Sequence, residues 1–146
     1  MDQSQIIGIT GAFGSGKSTA SDFFSSKGYI HITLSKFLEE EARRRDLPII
    51  RSTLQDIGNE FREQHGSGIL AVKALEYIRM KEIKNAVIDG IRNIGEIEAL
   101  LKHNNFLLIG IVANRLIRFE RLKNLEKREK LTQEIFDKLD MRDLGF

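Results

Sequence analysis

A glycine-rich segment near the amino terminus carries the residues whose types and spacing indicate chemistry. Residues 11–18 read GAFGSGKS and match the pattern G-x-x-x-x-G-K-[ST] in full. Glycines let the backbone N–H groups of such a loop turn inward around a phosphate group. The segment follows an apolar run and opens a helix-forming one, which is the context that a phosphate-binding loop requires. The residues predicted to bind phosphate are Gly11, Ala12, Phe13, Gly14, Ser15, Gly16, Lys17, Ser18 and Thr19.

Two side chains at the end of this loop have distinct expected roles. Lys17 is predicted to reach the β- and γ-phosphates of a nucleotide, and the Ser18 hydroxyl to complete the shell of a magnesium ion. The helix that follows adds the positive end of its dipole at the same place. A dinucleotide-binding loop is a poorer interpretation, because Gly11, Gly14 and Gly16 do not have the spacing G-x-G-x-x-G.

A second group of charged residues follows an apolar run in the middle of the chain. The sequence AVIDGIR places Asp89 at the carboxyl end of a predicted buried strand, which is the edge where open α/β sheets bind ligands. Asp89 is therefore predicted to hold magnesium, usually through water, or to orient the oxygen that accepts a phosphoryl group. Arg92 offers a planar fork for a second phosphate or a carboxylate. Taken alone, Asp89 as a turn residue and Arg92 as a surface charge are equally good interpretations.

The basic segment after the last apolar run supplies further candidates. Arg115, Arg118 and Arg121 recur at every third residue. Arginines of a lid can close over a transferring phosphoryl group and exclude water from it. We predict that Arg118 and Arg121 are catalytic in this sense, the alternative being a solvated helix face.

Apolar runs without alternation predict strands that are buried on both faces, as in a parallel sheet. Such runs occupy residues 6–10, 86–89 and 106–112, with a weaker one at 29–33. Helices are predicted between them, at 17–26, 35–45, 54–64, 69–81, 94–102, 115–129 and 132–139. Ser35 is a predicted N-cap, and Asn93 with Glu96 is a predicted capping box. Alternating strands and helices indicate an α/β fold, a three-layer αβα sandwich around a parallel sheet.

Composition excludes several classes of protein. The 146 residues, 41% hydrophobic and 30% charged, predict one globular domain over 1–146. The net charge of +2, from 23 basic and 21 acidic residues, argues against general nucleic-acid binding. Apolar runs are too short to span a membrane, the start MDQSQ lacks a signal-peptide pattern, and the absence of cysteine fits a cytoplasmic protein. The histidines share no metal-ligand spacing and are predicted surface or loop residues: His31, His65 and His103.

The whole chain resembles the P-loop nucleoside monophosphate kinase superfamily, and within it the dephospho-CoA kinase-like and deoxynucleoside monophosphate kinase-like proteins. The first motif is specific for phosphate but not for a substrate, whereas DIGNEFRE together with IDGIRNIGE is much more specific to this group. The segments that carry the resemblance are IIGITGAFGSGKST, LSKFLEEEARRRDLPIIRSTLQDIGNEFREQHG, VIDGIRNIGEIEAL, FLLIGIVANRLIRFERL and LTQEIFDKLDMRDLGF.

The resemblance implies a P-loop NTPase fold of nucleoside-kinase type with an acceptor-binding region and a mobile lid. Residues 33–45 and 54–62 correspond to the acceptor-binding helices, where Arg62 matches an arginine that the group tends to carry. Glu39 stands where relatives often have arginine, which argues against ordinary adenylate-kinase-like substrates. Relatives continue past the DLG of residues 143–145 into another helix and strand, so a truncated chain or one domain of a longer protein is expected.

The implied activity is transfer of the γ-phosphoryl group of ATP, with Mg²⁺, to a small nucleotide-like acceptor. A (deoxy)nucleoside monophosphate and dephospho-CoA both remain open as the acceptor, and the oligomeric state is open as well. The alternative is a nucleotide-binding regulatory domain with little turnover, such as those that precede a deoxycytidylate deaminase domain, although the chain contains no deaminase signature. A motor ATPase or a GTPase is less well supported, since the N-K-x-D segment of a GTPase is missing.

Overall fold

Strands and helices alternate along the part of the chain that the computed structural model describes, residues 4–12, 16–112, 116–117 and 120. The elements are β1 (Gln5–Gly11), α1 (Lys17–Ser26), β2 (Ile30–Thr33), α2 (Ser35–Arg44), α3 (Arg51–His65), α4 (Ile69–Met80), β3 (Asn85–Asp89), α5 (Ile94–Leu101) and β4 (Phe106–Ile111). Every helix predicted before residue 103 is present, with ends shifted by three residues at most. The helices predicted at 115–129 and 132–139 fall almost entirely outside the described residues.

The four described strands form one parallel sheet in the order β2-β3-β1-β4. Gly8 of β1 is paired with Ile88 on one side and Leu108 on the other, so β1 lies inside the sheet. All carboxyl ends of the strands meet at one edge because every pair is parallel. The loop after β1 and Asp89 at the end of β3 therefore lie at the same edge.

The side chains of the two central strands, β1 and β3, are buried on both faces of the sheet, which explains why their apolar runs show no alternation. On one face Ile7, Ile9 and Val87 pack against residues of α1. On the other face Ile6, Ile32 and Ile88 belong to a core built with α2, α3, α4 and α5. The predicted three-layer αβα sandwich is confirmed. Among the described residues, no helix combines the length and the apolar character needed to cross a membrane.

The sequence predicted the N-caps of two helices, α5 and α2, and only the first prediction is correct. The predicted capping box of α5 is confirmed, since the Asn93 side chain accepts from the Glu96 N–H and Glu96 accepts from the Asn93 N–H. The prediction of Ser35 as an N-cap is wrong, because Leu34 occupies that position without a side-chain cap. The Leu34 N–H instead donates to the Asp89 carbonyl oxygen at 3.0 Å. The start of α2 is thus anchored by the neighbouring strand rather than by a hydroxyl group.

Gly8 gives a direct test of this packing. A Cβ atom at Gly8 would lie 2.8 Å from Cζ of Phe106 and 2.9 Å from Cδ1 of Ile91, whereas one at Gly110 would meet nothing within 4 Å. We expect Gly8→Ala to lower the free energy of unfolding by about 1–3 kcal/mol through overpacking. Gly110→Ala, the matched control, should leave it unchanged or raise it by up to about 1 kcal/mol. Urea denaturation measures both values, and equal effects would contradict the described packing.

Candidate functional site

The phosphate loop leads into α1 through a residue that must be glycine. Gly16 is the N-cap of α1 with φ of 103°, a left-handed conformation that side chains resist. Lys17 is the first residue of the helix, and Ser18 and Thr19 follow on its exposed first turn. A helix start of this kind presents backbone N–H groups and a positive dipole end to an anion. Phe13, Gly14 and Ser15, also predicted to bind phosphate, lie outside the described residues.

Asp89 lies one strand away from this loop, at the end of β3. Its side chain shares the sheet face of Val87, by the alternation of strand residues, and this is the face covered by α1. The carboxylate is only 18% exposed, and its Oδ2 atom is 3.3 Å from Nε2 of His31 on β2. Lys17, Ser18 and Asp89 are therefore brought to the same edge and the same face of the sheet.

The contact between His31 and Asp89 was missed by the sequence interpretation, which treated His31 as an ordinary surface or loop residue. His31 is exposed, as expected, but it lies in β2 and faces the carboxylate. The two residues are 58 positions apart and meet only through the pairing of β2 with β3, so no sequence spacing indicated the contact. In the described part of the chain, no cluster of three or more histidine or acidic side chains could hold a metal ion.

Gly90 turns the chain from β3 toward the opposite face of the sheet. Its φ of 84° is left-handed, and a Cβ atom there would lie 3.4 Å from Cγ2 of Thr33 and 3.5 Å from the Leu34 nitrogen. These are ordinary van der Waals distances, so it is the left-handed conformation that favours glycine at this position. The turn carries Arg92 and Asn93 to the start of α5.

A cavity of about 650 Å³ opens beside this turn, between α2, α3, the start of α4 and the β3–α5 turn. This volume lies within the range of small-molecule sites. We call it the arginine cavity. Its apolar wall consists of Leu34, Leu38, Ile49, Ile50, Leu54 and Leu70. The rest of its lining consists of Gly90 and of the polar residues Ser35, Glu39, Arg51, Gln55, Asn59, Arg62, Ser67, Arg92 and Asn93.

The arginine cavity brings together the two residues predicted to bind the acceptor, Arg62 and Arg92. It adds Arg51, which sequence reasoning missed because Arg51 stands at the first position of α3, ahead of the apolar pattern used to place that helix. Glu39 also lines it, with its carboxylate 3.8 Å from Nη2 of Arg43. Glu39, the acidic residue that the sequence places where relatives often have arginine, therefore lines the arginine cavity. Arg118 and Arg121 lie outside the described residues.

A buried carboxylate lies behind the two predicted arginines. Glu96 is fully buried, and its Oε1 atom accepts hydrogen bonds from the N–H of Arg92 at 2.7 Å and of Asn93 at 3.3 Å. Its Oε2 atom has no hydrogen-bond partner in the described structure and lies 4.0 Å from Nη2 of Arg62. Burial raises the pKa of Glu96 above its ordinary value, although the two N–H groups and the charges of Arg62 and Arg92 act in the opposite direction.

The parallel sheet, the glycine loop that opens α1 and the cavity on the opposite face define a P-loop kinase-like fold. The shikimate kinase of Bacteroides thetaiotaomicron has a similar structure, with a TM-score of 0.54 over 97% of this chain and 77% of that chain, at 20% identity. That likeness shows the fold and leaves the substrate open. The predicted fold class is confirmed.

Sequence comparisons identify the family to which the chain belongs. A family model described as an AAA domain (AAA_18) matches residues 7–142. A UPF0200 protein of Methanocaldococcus jannaschii is 31% identical over 144 residues, which cover 97% of this chain and 73% of the relative. A UPF0200 protein of Sulfurisphaera tokodaii is 36% identical over 141 residues, covering 96% and 77%. The chain belongs to the UPF0200 family and to this group of AAA domains.

The raised pKa of Glu96 predicts a pH dependence of stability. A carboxyl group whose pKa is higher in the folded state destabilises that state as pH rises from the unfolded pKa to the folded one. Glu96→Gln removes this titration but keeps an oxygen that can accept from Arg92 and Asn93. We therefore expect the unfolding free energy of the variant, relative to wild type, to increase as pH rises above the ordinary pKa of a glutamate side chain. Denaturation at a series of pH values measures this difference, and a constant difference would contradict the desolvated environment of Glu96.

Proposed function

We propose that this protein is a magnesium-dependent kinase that transfers the γ-phosphoryl group of ATP to a small, anionic, nucleotide-like acceptor. One observation carries the proposal: the arginine cavity opens at the turn that leaves Asp89, at the same sheet edge as the phosphate loop. A donor site and an acceptor site next to each other are what phosphoryl transfer requires, since its catalysis consists mainly of positioning and charge stabilisation. The P-loop kinase-like fold and its kinase neighbours support this reading.

The donor side consists of the phosphate loop and Asp89. Backbone N–H groups at the start of α1 would bind the phosphates of ATP, and Lys17 would neutralise charge on the β- and γ-phosphates. Ser18 and Asp89 would hold Mg²⁺, which when bound neutralises charge on the phosphate oxygens. The exposed Ser18 hydroxyl and the partly buried carboxylate, on one face of the sheet, are oxygen donors of the kind that Mg²⁺ prefers. Asp89 would also orient the attacking oxygen of the acceptor.

The acceptor side is the arginine cavity. Arg62 and Arg92, assisted by Arg51, would bind an anionic group of the acceptor, and the apolar wall would pack against its uncharged part. The proposed acceptors are a (deoxy)nucleoside monophosphate or dephospho-CoA. Arg118 and Arg121 would close over the transferring group. A cytoplasmic location would supply ATP and agrees with the absence of cysteine.

Glu39 favours one alternative. Glu39 lines the arginine cavity, and its negative charge would repel a phosphate group placed near it. A protein that binds ATP but turns over no acceptor would then act as a nucleotide-binding regulatory domain. Nucleotide binding together with negligible ADP formation with every acceptor would identify this alternative.

Lys17→Ala tests the donor site. The variant should lose at least about a hundredfold in kcat/KM, because the charge that stabilises the transferring phosphates is removed. A coupled assay of ADP formation measures the loss, and circular dichroism checks the fold. Lys81→Ala is the matched control, since Lys81 follows α4 at the opposite edge of the sheet and is exposed. Full activity of Lys17→Ala would refute the donor-site assignment.

Arg92→Ala tests the acceptor site. Loss of a charge-assisted contact worth about 1.5–3 kcal/mol should raise the KM for the acceptor by about 10- to 100-fold. The KM for ATP should stay near the wild-type value, because Arg92 lies in the arginine cavity. Arg79→Ala, in the last turn of α4, serves as the control. An equal rise of both KM values in the Arg92 variant would contradict separate donor and acceptor sites.

A further inference from the structure

The guanidinium group of Arg62 folds back along its own helix over a glycine. Gly58 stands one turn earlier in α3 and is buried. A Cβ atom at Gly58 would lie 2.9 Å from Nη1 of Arg62, 3.5 Å from its Cζ and 3.4 Å from Cδ1 of Leu38. The guanidinium therefore occupies space that any side chain at position 58 would take. Because glycine inside a helix is less stable than alanine, its presence in the middle of α3 calls for a reason, and Arg62 supplies one.

The other side of the same guanidinium faces Glu96. The Oε2 atom of Glu96 is 4.0 Å from Nη2 of Arg62, close enough for attraction but too far for a hydrogen bond. Both this oxygen and the Nε atom of Arg62 are buried without a hydrogen-bond partner in the described structure. Buried polar atoms without partners are destabilising. The arrangement therefore attracts the guanidinium by charge while its Nε–H group has no acceptor in the described structure.

Glu96 also contacts the turn that carries Arg92, the second arginine predicted to bind the acceptor. Its Oε1 atom accepts from the backbone N–H groups of Arg92 and Asn93, which fixes the turn that presents both residues. The buried carboxylate of Glu96 thus attracts the Arg62 side chain by charge and accepts a hydrogen bond from the Arg92 backbone. The Asn93 side chain in turn donates to the Ser67 carbonyl oxygen at 3.1 Å, which ties the turn to the loop before α4.

We propose that Gly58 and Glu96 are positioning residues, which together hold the Arg62 guanidinium at the wall of the arginine cavity to receive an anionic oxygen pair of the bound molecule. The ligand chemistry is that of a phosphate or a carboxylate, which matches a planar guanidinium with two parallel hydrogen bonds. This inference rests on the proposed function in one respect, that the arginine cavity receives an anionic acceptor. Gly58 leaves space for the Arg62 guanidinium, and the carboxylate of Glu96 attracts that guanidinium by its charge.

The test uses inorganic phosphate as the probe and needs no turnover. Phosphate is titrated into the whole protein, and backbone amide resonances report each site separately: Arg92 and Asn93 for the arginine cavity, Lys17 and Ser18 for the phosphate loop. Gly58→Ala should raise the apparent Kd at Arg92 and Asn93 by about tenfold, the loss of roughly one charge-assisted contact. The Kd at Lys17 and Ser18 should not change. The midpoint of thermal unfolding should not fall, since the atom displaced by the new Cβ is the end of a flexible side chain.

A double-variant comparison separates positioning from a general structural effect. Arg62→Ala should weaken phosphate binding in the arginine cavity, and Gly58→Ala added to Arg62→Ala should have no further effect. If Gly58→Ala weakens phosphate binding equally in the wild-type and Arg62→Ala backgrounds, its effect does not pass through Arg62 and the proposal is overturned. No change in the Kd on Gly58→Ala alone would overturn it too.

Glu96→Gln should change the phosphate affinity of the arginine cavity in opposite directions, depending on whether Glu96 only adds negative charge or positions Arg62. A carboxylate that only adds negative charge would repel phosphate, so its removal would strengthen binding. A positioning carboxylate holds Arg62 in place, so its removal should weaken binding at Arg92 and Asn93. Tighter binding in the variant would refute the role of Glu96.

The phosphate titration also separates failure of this inference from failure of the proposed function. If no acceptor is phosphorylated but Gly58→Ala still weakens phosphate binding through Arg62, the kinase proposal fails and the positioning holds. If an acceptor is phosphorylated, Gly58→Ala should raise its KM by about tenfold with a smaller effect on kcat. An unchanged KM with normal turnover would leave the kinase proposal intact and reject the positioning roles.

Discussion

The parallel pairing of β1 with β3 is the constraint on which the arrangement of the site depends. It brings the start of the phosphate loop and the carboxylate of Asp89 to one edge of the sheet, although the two lie far apart in sequence. The same edge carries the turn at Gly90, and this turn crosses to the face covered by α2 to α5. The groups proposed to bind the donor and those proposed to bind the acceptor therefore lie on opposite faces of one sheet and meet at its edge. Open α/β sheets bind ligands at this edge for the same geometric reason.

Part of the site carries a cost in stability. The buried carboxylate of Glu96 lacks a partner for one oxygen, and the neighbouring Nε of Arg62 lacks an acceptor. A core optimised for stability alone would contain neither atom in this state, since each unsatisfied buried group costs about 1–3 kcal/mol. Such conflicts between local stability and polar groups concentrate at functional sites. Here the conflict lies at and behind Arg62, which lines the arginine cavity beside the turn after Asp89.

Much of the fold could be predicted from local patterns. The glycine loop, the unbroken apolar runs and the Asn93–Glu96 pair each have one favoured structure, and the strands, α1 and the capping box were found where the sequence placed them. The start of α3 was placed late, because its first turn is polar and the apolar pattern begins only at Leu54. The prediction of Ser35 as the N-cap was wrong by one position, because α2 begins at Ser35 and the N-cap is Leu34, whose N–H is bonded to β3.

The long-range contacts of the site could not be predicted in this way. His31 meets Asp89 only through strand pairing, and the arrangement of Gly58 under Arg62 depends on a side-chain conformation that no spacing encodes. The resemblance predicted that Arg62 binds the acceptor but gave no account of what holds its side chain in place. The identity of the proposed acceptor would depend on the shape of the cavity wall and on Glu39, neither of which a short motif specifies.

The central claim is that a phosphoryl group passes from ATP to a molecule bound in the arginine cavity. The most direct measurement follows γ-³²P-labelled ATP with Mg²⁺ in the presence of each (deoxy)nucleoside monophosphate and of dephospho-CoA, with product separation by chromatography. The account predicts that label appears in the phosphorylated form of one acceptor class, at a rate that depends on acceptor concentration. Binding of ATP without transfer of label to any of these acceptors would contradict it.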